Sequence, residues 1–149
     1  MQHYGNCISI LCQELDQYIR LLFLFKQPQH IRDELIGHSI NNQKWYYTNN
    51  ENKKVIITDQ HIEDFAKGLQ EWDSDIFEFR NIFYKITINF NYILRDPIKG
   101  LNEMERELLY KYIREYHDSD FPKQYSINDL FPILPAIFTR IYESIKQKL

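Results

Sequence analysis

Glycine, proline and cysteine are all scarce in this sequence of 149 residues, which holds four glycines, five prolines and two cysteines. So little glycine and proline excludes a collagen-like or low-complexity chain. The two cysteines, Cys7 and Cys12, are five positions apart, and on one helix their side chains would point about 140° away from each other. We therefore expect reduced thiols rather than a disulfide between them.

The sequence also lacks a long, uninterrupted apolar run. Its apolar segment near the N-terminus is interrupted by Glu14, Asp16 and Arg20, whereas a membrane span needs about 20 consecutive apolar residues. The same three charges leave no apolar core for a secretory signal. We therefore expect a protein that has no membrane span and is located in the cytoplasm.

Cations are not in excess, because 18 lysines and arginines stand against 21 aspartates and glutamates. A net charge of −3 argues against a protein whose main task is to coat nucleic acid, which requires clustered cations. Hydrophobic residues make up 44% of the chain, which is too much for a disordered protein. A chain of this length usually folds as one unit, so residues 1–149 are expected to form a single globular domain.

Apolar residues recur at steps of three and four along most of the chain, which predicts helices with one buried stripe. Residues 85–94 also alternate like a strand, but the helical series there is longer, so a helix is preferred. Pro132 and Pro135 are expected to break or kink the last helix. The predicted helices cover residues 6–25, 28–37, 59–72, 76–94, 102–116 and 126–148. Gly37 is expected to close the second helix, Asp59 to cap the third, and Asn102 with Glu105 to form a capping box at the start of the fifth.

Residues 44–58 follow a different pattern. Two short runs of aromatic and β-branched residues flank the asparagine-rich segment 49–52, which predicts a β-hairpin. The expected fold is thus mainly α, a single-domain bundle of about five to six helices with one β-hairpin insertion. Because Trp45, Tyr46 and Tyr47 alternate across a two-stranded ribbon, at least one ring should be exposed or interfacial. The alternative to an exposed ring is that the hairpin packs on the helices and its rings contact them.

The strongest charge feature is an acidic segment from Asp59 to Glu78, which holds seven carboxylates and a single lysine. Since apolar residues take the inner face of this segment, we expect most of its carboxylates to project outward and to attract a basic partner. A solvated helix surface with charged caps is the alternative. Together with the hairpin aromatics, the predicted contact residues are Asp59, Glu63, Asp64, Glu71, Asp73, Asp75, Trp45 and Tyr47.

Motifs for catalysis are missing from the sequence. It has no Gly-x-Ser-x-Gly elbow and no glycine-rich phosphate loop. His61 and Asp64 have the spacing of metal ligands on a helix, but nothing completes a set of three or four, so we expect no metal and no cofactor. The resulting hypothesis is a non-enzymatic protein-binding module. Its concrete form is an inhibitor, of the immunity or antitoxin type, of a basic intracellular toxin or nuclease.

Arg80 and Asn81, followed four positions later by Lys85, suggest a second hypothesis. This segment resembles the Arg-Asn-x-x-x-His signature of HEPN-type ribonucleases, which are all-helical domains that cleave RNA as dimers. The resemblance implies that Arg80 and Lys85 contact RNA. Lys85, however, stands where the signature has histidine, and a lysine with a pKa near 10.4 is a poor general base at neutral pH. The departure favours a degenerate, RNA-binding relative over a nuclease.

Overall fold

The computed structural model describes residues 2–91 and 96–148 and confirms a mainly α bundle with one inserted hairpin. Six helices in these ranges have nine residues or more. Two short 3-10 turns, Pro97–Gly100 and Phe131–Ile133, precede α5 and α7. The elements are α1 (Gln2–Lys26), α2 (Gln29–Ile40), β1 (Tyr46–Thr48), β2 (Lys54–Ile56), α3 (Asp59–Lys67), α4 (Glu71–Asn91), α5 (Glu103–Tyr116), α6 (Ile127–Leu130) and α7 (Leu134–Lys148).

The two longest helices, α1 with 25 residues and α4 with 21, pack against each other at the centre of the bundle. Each buries one stripe of large apolar side chains, and burying one such side chain contributes about 1.5–3 kcal/mol. The helices α2, α3, α5 and α7 pack against one or both helices of this pair. The residues of the two stripes that have 0% exposure are Ile8, Leu11, Leu15, Ile76, Phe79, Phe83 and Ile86.

The helical interpretation of residues 85–94 is confirmed as far as Asn91, where α4 ends. Ile86 is fully buried, and the hydroxyl of Thr87 donates to the carbonyl of Phe83 at 3.0 Å, as in a continuous helix. The predicted segment 92–94 lies outside the described residues. None of the helices described combines the length and the apolar character that crossing a bilayer requires.

Several predicted boundaries are wrong. The helix expected over residues 59–72 ends at Lys67, where Gly68 caps it, and the helix expected from residue 76 begins at Glu71, so that three residues separate α3 from α4. Glu71 has a φ of 54°, a left-handed conformation that is unusual for a residue other than glycine and that turns the chain sharply between the helices. Gly37, expected to close α2, instead lies inside that helix, where an isolated glycine costs only about 1 kcal/mol.

Capping hydrogen bonds define the starts of α3 and α5. The predicted capping box of α5 is present, with Asn102 and Glu105 each accepting a hydrogen bond from the other's backbone N–H. For α3 the cap is Thr58 rather than the expected Asp59. His61 completes this cap, because its Nδ1 accepts from the Thr58 N–H at 2.9 Å.

His117, the residue after α5, is half-buried beneath aromatic rings. Its ring centroid lies 5.3 Å from that of Trp72 and 6.2 Å from that of Phe79. Burial, aided by the positive charge of Arg140, lowers the pKa of His117 from 6.5 to about 4. The imidazole is therefore neutral in the folded protein at neutral pH, and the fold resists its protonation.

This environment predicts acid sensitivity. As the pH falls from 6.5 towards about 4, His117 binds a proton in the unfolded chain but not in the folded one, so the free energy of unfolding should fall by up to about 3 kcal/mol. Urea unfolding at a series of pH values would measure this. His117→Gln should remove this part of the pH dependence, whereas the matched change of an exposed histidine, His30→Gln, should keep it. An unchanged slope in His117→Gln would contradict the assignment.

Candidate functional site

The acidic segment does not form one outward-facing strip. Three of its carboxylates turn back towards the bundle and accept hydrogen bonds from tyrosine hydroxyls of α1 and α5. The expected outward orientation is therefore wrong for Asp73 and Asp75, which are half-buried, whereas Glu78 accepts its hydrogen bond and stays exposed. The pairs are Tyr18 with Asp73 at 2.7 Å, Tyr116 with Asp75 at 2.6 Å and Tyr112 with Glu78 at 2.7 Å.

These tyrosines are held in their neutral, donating form. Burial, together with the hydrogen bond to a neighbouring carboxylate, raises the pKa of Tyr18, Tyr112 and Tyr116 well above the ordinary value. Asp73 also lies 3.5 Å from the ammonium group of Lys148, near the end of α7. The first turns of α4 are thereby tied to three other helices, which makes these carboxylates part of the fold.

Two further carboxylates of the segment have cationic neighbours. Glu63 lies 3.1 Å from Lys67 on the same helix, and Asp59 lies 3.3 Å from Arg20 of α1. The Asp59 side chain is nevertheless 98% exposed, so this pair is weak. Asp64 and Glu71 are also exposed. Of the predicted contact acids, Asp59, Asp64 and Glu71 thus remain open to a partner.

Trp45 anchors the hairpin instead of standing free. Its ring is half-buried and stacks on Phe23 of α1 at a centroid distance of 6.2 Å, while its indole N–H donates to the Ser39 hydroxyl at 2.8 Å. The guanidinium of Arg20 lies 5.8 Å from the Trp45 ring and also reaches Asp59. Arg20 therefore brings the hairpin and the start of α3 side by side, as the sequence predicted.

The other two hairpin rings differ from each other. The ring of Tyr46 has two neighbours. It stacks on His38 of α2, at 3.9 Å between ring centroids, and the ammonium of Lys54 lies 4.1 Å from its centroid. Tyr47 is half-buried, and among the described residues its ring and hydroxyl make no stacking contact or hydrogen bond. Packing on the helices thus accounts for Trp45 and Tyr46 and leaves Tyr47 available for contact.

A cleft of about 600 Å³ opens between α1, α3 and α4. We call it the α1–α3–α4 cleft. Tyr84, which is 56% exposed, lies at this cleft. Sequence reasoning missed the cleft because its walls come from three helices separated along the chain. Asp59, Glu63 and Arg80 had been singled out, but as parts of two unrelated sites. The charged residues that line it are Asp16, Arg20, Asp59, Glu63 and Arg80.

Arg80 is the unpaired cation of this cleft. Its guanidinium lies 5.0 Å from the ring of Phe77, and its Nε is buried without a hydrogen-bond partner. No carboxylate of the described residues lies within 4.0 Å of it, whereas Arg20 contacts both Asp16 and Asp59 at 3.3 Å. The cleft therefore presents one guanidinium whose hydrogen-bonding capacity is unused.

Lys85 does not join Arg80 in the cleft. Its ammonium contacts the carboxylate of Glu105 on α5 at 2.6 Å. Burial alone would raise the pKa of Glu105, but the hydrogen bonds from Lys85 and from the Asn102 backbone lower it below the ordinary value. The two residues that the ribonuclease resemblance singled out thus point to different neighbours, because five positions on a helix turn side chains about 140° apart.

In the part of the chain that the structure describes, no three histidine, cysteine, aspartate or glutamate residues converge in a way that would hold a metal ion. His61, one of the residues with metal-ligand spacing, is engaged in the cap of α3. Comparisons with protein-family models, with curated proteins and with solved structures give no match for this chain. The interpretation of the site therefore rests on its own geometry.

The inward carboxylates should matter for stability and the exposed ones should not. Asp75→Ala removes the acceptor of the Tyr116 hydroxyl, so we expect the free energy of unfolding in urea to fall by about 1–3 kcal/mol. Asp64→Ala, a matched change at an exposed position, should alter it by less than about 0.5 kcal/mol. Adding Tyr116→Phe to Asp75→Ala should recover part of the loss, because no buried donor is then left unpaired. Equal effects of the two aspartate changes would contradict the assignment.

Proposed function

We propose that this chain is a non-enzymatic module that binds a basic protein partner on the surface formed by α3, the start of α4 and the neighbouring hairpin. The observation that carries the proposal is the contact of Arg20 with both Asp59 and Trp45, which brings the exposed carboxylate of Asp59 beside the hairpin. Asp59, Asp64 and Glu71 supply the negative charge, and Tyr47 supplies a ring with no partner among the described residues.

The physical basis of this function is attraction followed by packing. Exposed carboxylates speed the encounter with a cationic surface, and aromatic and arginine side chains dominate the energy of protein interfaces once contact is made. The inward carboxylates Asp73 and Asp75 are excluded from the contact set because they hold the helices together. Glu63, paired with Lys67, contributes little net charge.

The concrete form of the proposal is an inhibitor of a toxin or nuclease in the cytoplasm, of the immunity or antitoxin type. Such a partner has a cationic substrate-binding cleft, and covering that cleft requires negative charge and a few anchoring side chains. The inhibitor itself needs no catalytic group, metal or cofactor.

Affinity capture from the native cell, followed by kinetics with the captured protein, tests the proposal. The captured protein should be basic, and its own activity should fall as this chain is added. The triple variant Asp59→Asn, Asp64→Asn, Glu71→Gln should associate roughly tenfold more slowly at low salt, with a flatter salt dependence. Dissociation should change less, because these charges steer the encounter.

The control removes three exposed carboxylates from other helices, through Glu107→Gln, Glu115→Gln and Glu143→Gln. This variant has the same net charge as the first one, and it should associate like the unaltered protein. An acidic captured protein, or equal slowing by both variants, would show that the surface beside the hairpin has no special role.

The location of Arg80 in a cleft favours a second candidate, an RNA-binding domain related to the ribonucleases that residues 78–85 resemble. The separation of Lys85 from that cleft and the three carboxylates that line it argue against this candidate, because RNA is a polyanion. Fluorescence polarisation with a single-stranded RNA distinguishes the two. We expect no binding at physiological salt, and binding that Arg80→Gln abolishes would support the RNA candidate instead.

A further inference from the structure

We propose that the α1–α3–α4 cleft binds a zwitterionic ligand of the amino-acid or peptide class, with a carboxylate on Arg80 and a cationic group beside the carboxylates of Asp16 and Asp59, which share a single arginine. The inference does not depend on the protein-binding function proposed above, because it concerns the interior of the cleft and a ligand as small as one amino acid. The volume of about 600 Å³ is ample for such a ligand.

The first support is the state of Arg80. A guanidinium carries five N–H donors, and here the buried Nε has no acceptor. The other donors of this guanidinium have no acceptor among the described residues either. Since Nε is buried, a ligand oxygen would contact the terminal N–H groups of this side chain, which lines the cleft. The ring of Phe77, 5.0 Å from the guanidinium carbon, lies against it. A planar group that faces an open cleft in this way is suited to a two-pronged contact with a carboxylate.

The second support is the balance of charge around Arg80. Asp16 and Asp59 share one cation, Arg20, so this group of three keeps one negative charge. Glu63 is compensated by Lys67. The cleft thus offers one unsatisfied positive group and, on the α1 and α3 side, one excess negative charge. A ligand with one negative and one positive group could pair with Arg80 and with the excess negative charge. A purely anionic or purely cationic ligand could pair with only one of them.

The same pattern favours a carboxylate over a phosphate. A phosphate carries up to two negative charges and is usually held by several cations or by a run of backbone N–H groups. Arg80 is a single free cation, and the carboxylates of Asp16, Asp59 and Glu63 line the same cleft. They would repel a dianion more strongly than a carboxylate whose own molecule brings a compensating positive group.

The test is a titration followed by NMR through the Nε–Hε signal of Arg80, with L-lysine, lysinamide and inorganic phosphate as probes. L-lysine should shift this signal saturably. Lysinamide, which keeps both amines and lacks the carboxylate, should bind roughly tenfold or more weakly. Phosphate should bind more weakly than L-lysine. This comparison uses the unaltered protein, so it remains decisive even where a variant fails to fold.

Variants then assign the contact, with the backbone signals of the cleft as the readout. Arg80→Gln should weaken L-lysine binding roughly tenfold or more, Arg80→Lys should weaken it less, and Arg106→Gln, an exposed arginine on α5, should leave it unchanged. Equal binding of L-lysine and lysinamide, tighter binding of phosphate, or no saturable shift with L-lysine would each overturn the proposal. None of these outcomes depends on whether the chain captures a basic protein.

Discussion

The packing of α1 against α4 is the constraint on which the rest of the structure depends. Because each helix buries its apolar stripe in the other, the direction of every polar residue on them is set. On one side of α4, carboxylates meet the tyrosines of α1 and α5. Arg80 and Tyr84 lie on another side, where they face α3 across a cleft. The hydrogen bonds that hold the bundle together and the cleft thus lie on different sides of one helix pair.

The fold could be predicted from local patterns because most of its determinants are local. Periodicity identified α1 and most of α4, and the capping box at Asn102 marked the start of α5. The break between α3 and α4 was expected at residues 73–75 but lies at residues 68–70. Its place depends on the left-handed backbone of Glu71, a conformation that its residue type does not signal. Where a helix ends and the next begins depends on tertiary packing as much as on propensity.

The candidate site was predicted less well, for a physical reason. Periodicity tells which face of a helix is apolar, but it does not tell which distant donors meet the polar face. The hydrogen bonds of Asp73, Asp75 and Glu78 join residues 34 to 55 positions apart. The cleft likewise joins α1, α3 and α4. The neighbourhood of the hairpin and α3, by contrast, followed from their succession in the chain, and Arg20 bridges them as that order suggests.

The carboxylates of the acidic segment therefore fall into two groups, one that holds α4 in place and one for which we propose a role in binding a partner beside the hairpin. The most direct test of this division is NMR mapping of the labelled protein as the captured basic partner is added. We expect the shifted backbone signals to concentrate on α3, the start of α4 and the hairpin. Shifts confined to α5 and α7, with α3 and the hairpin unaffected, would contradict the account.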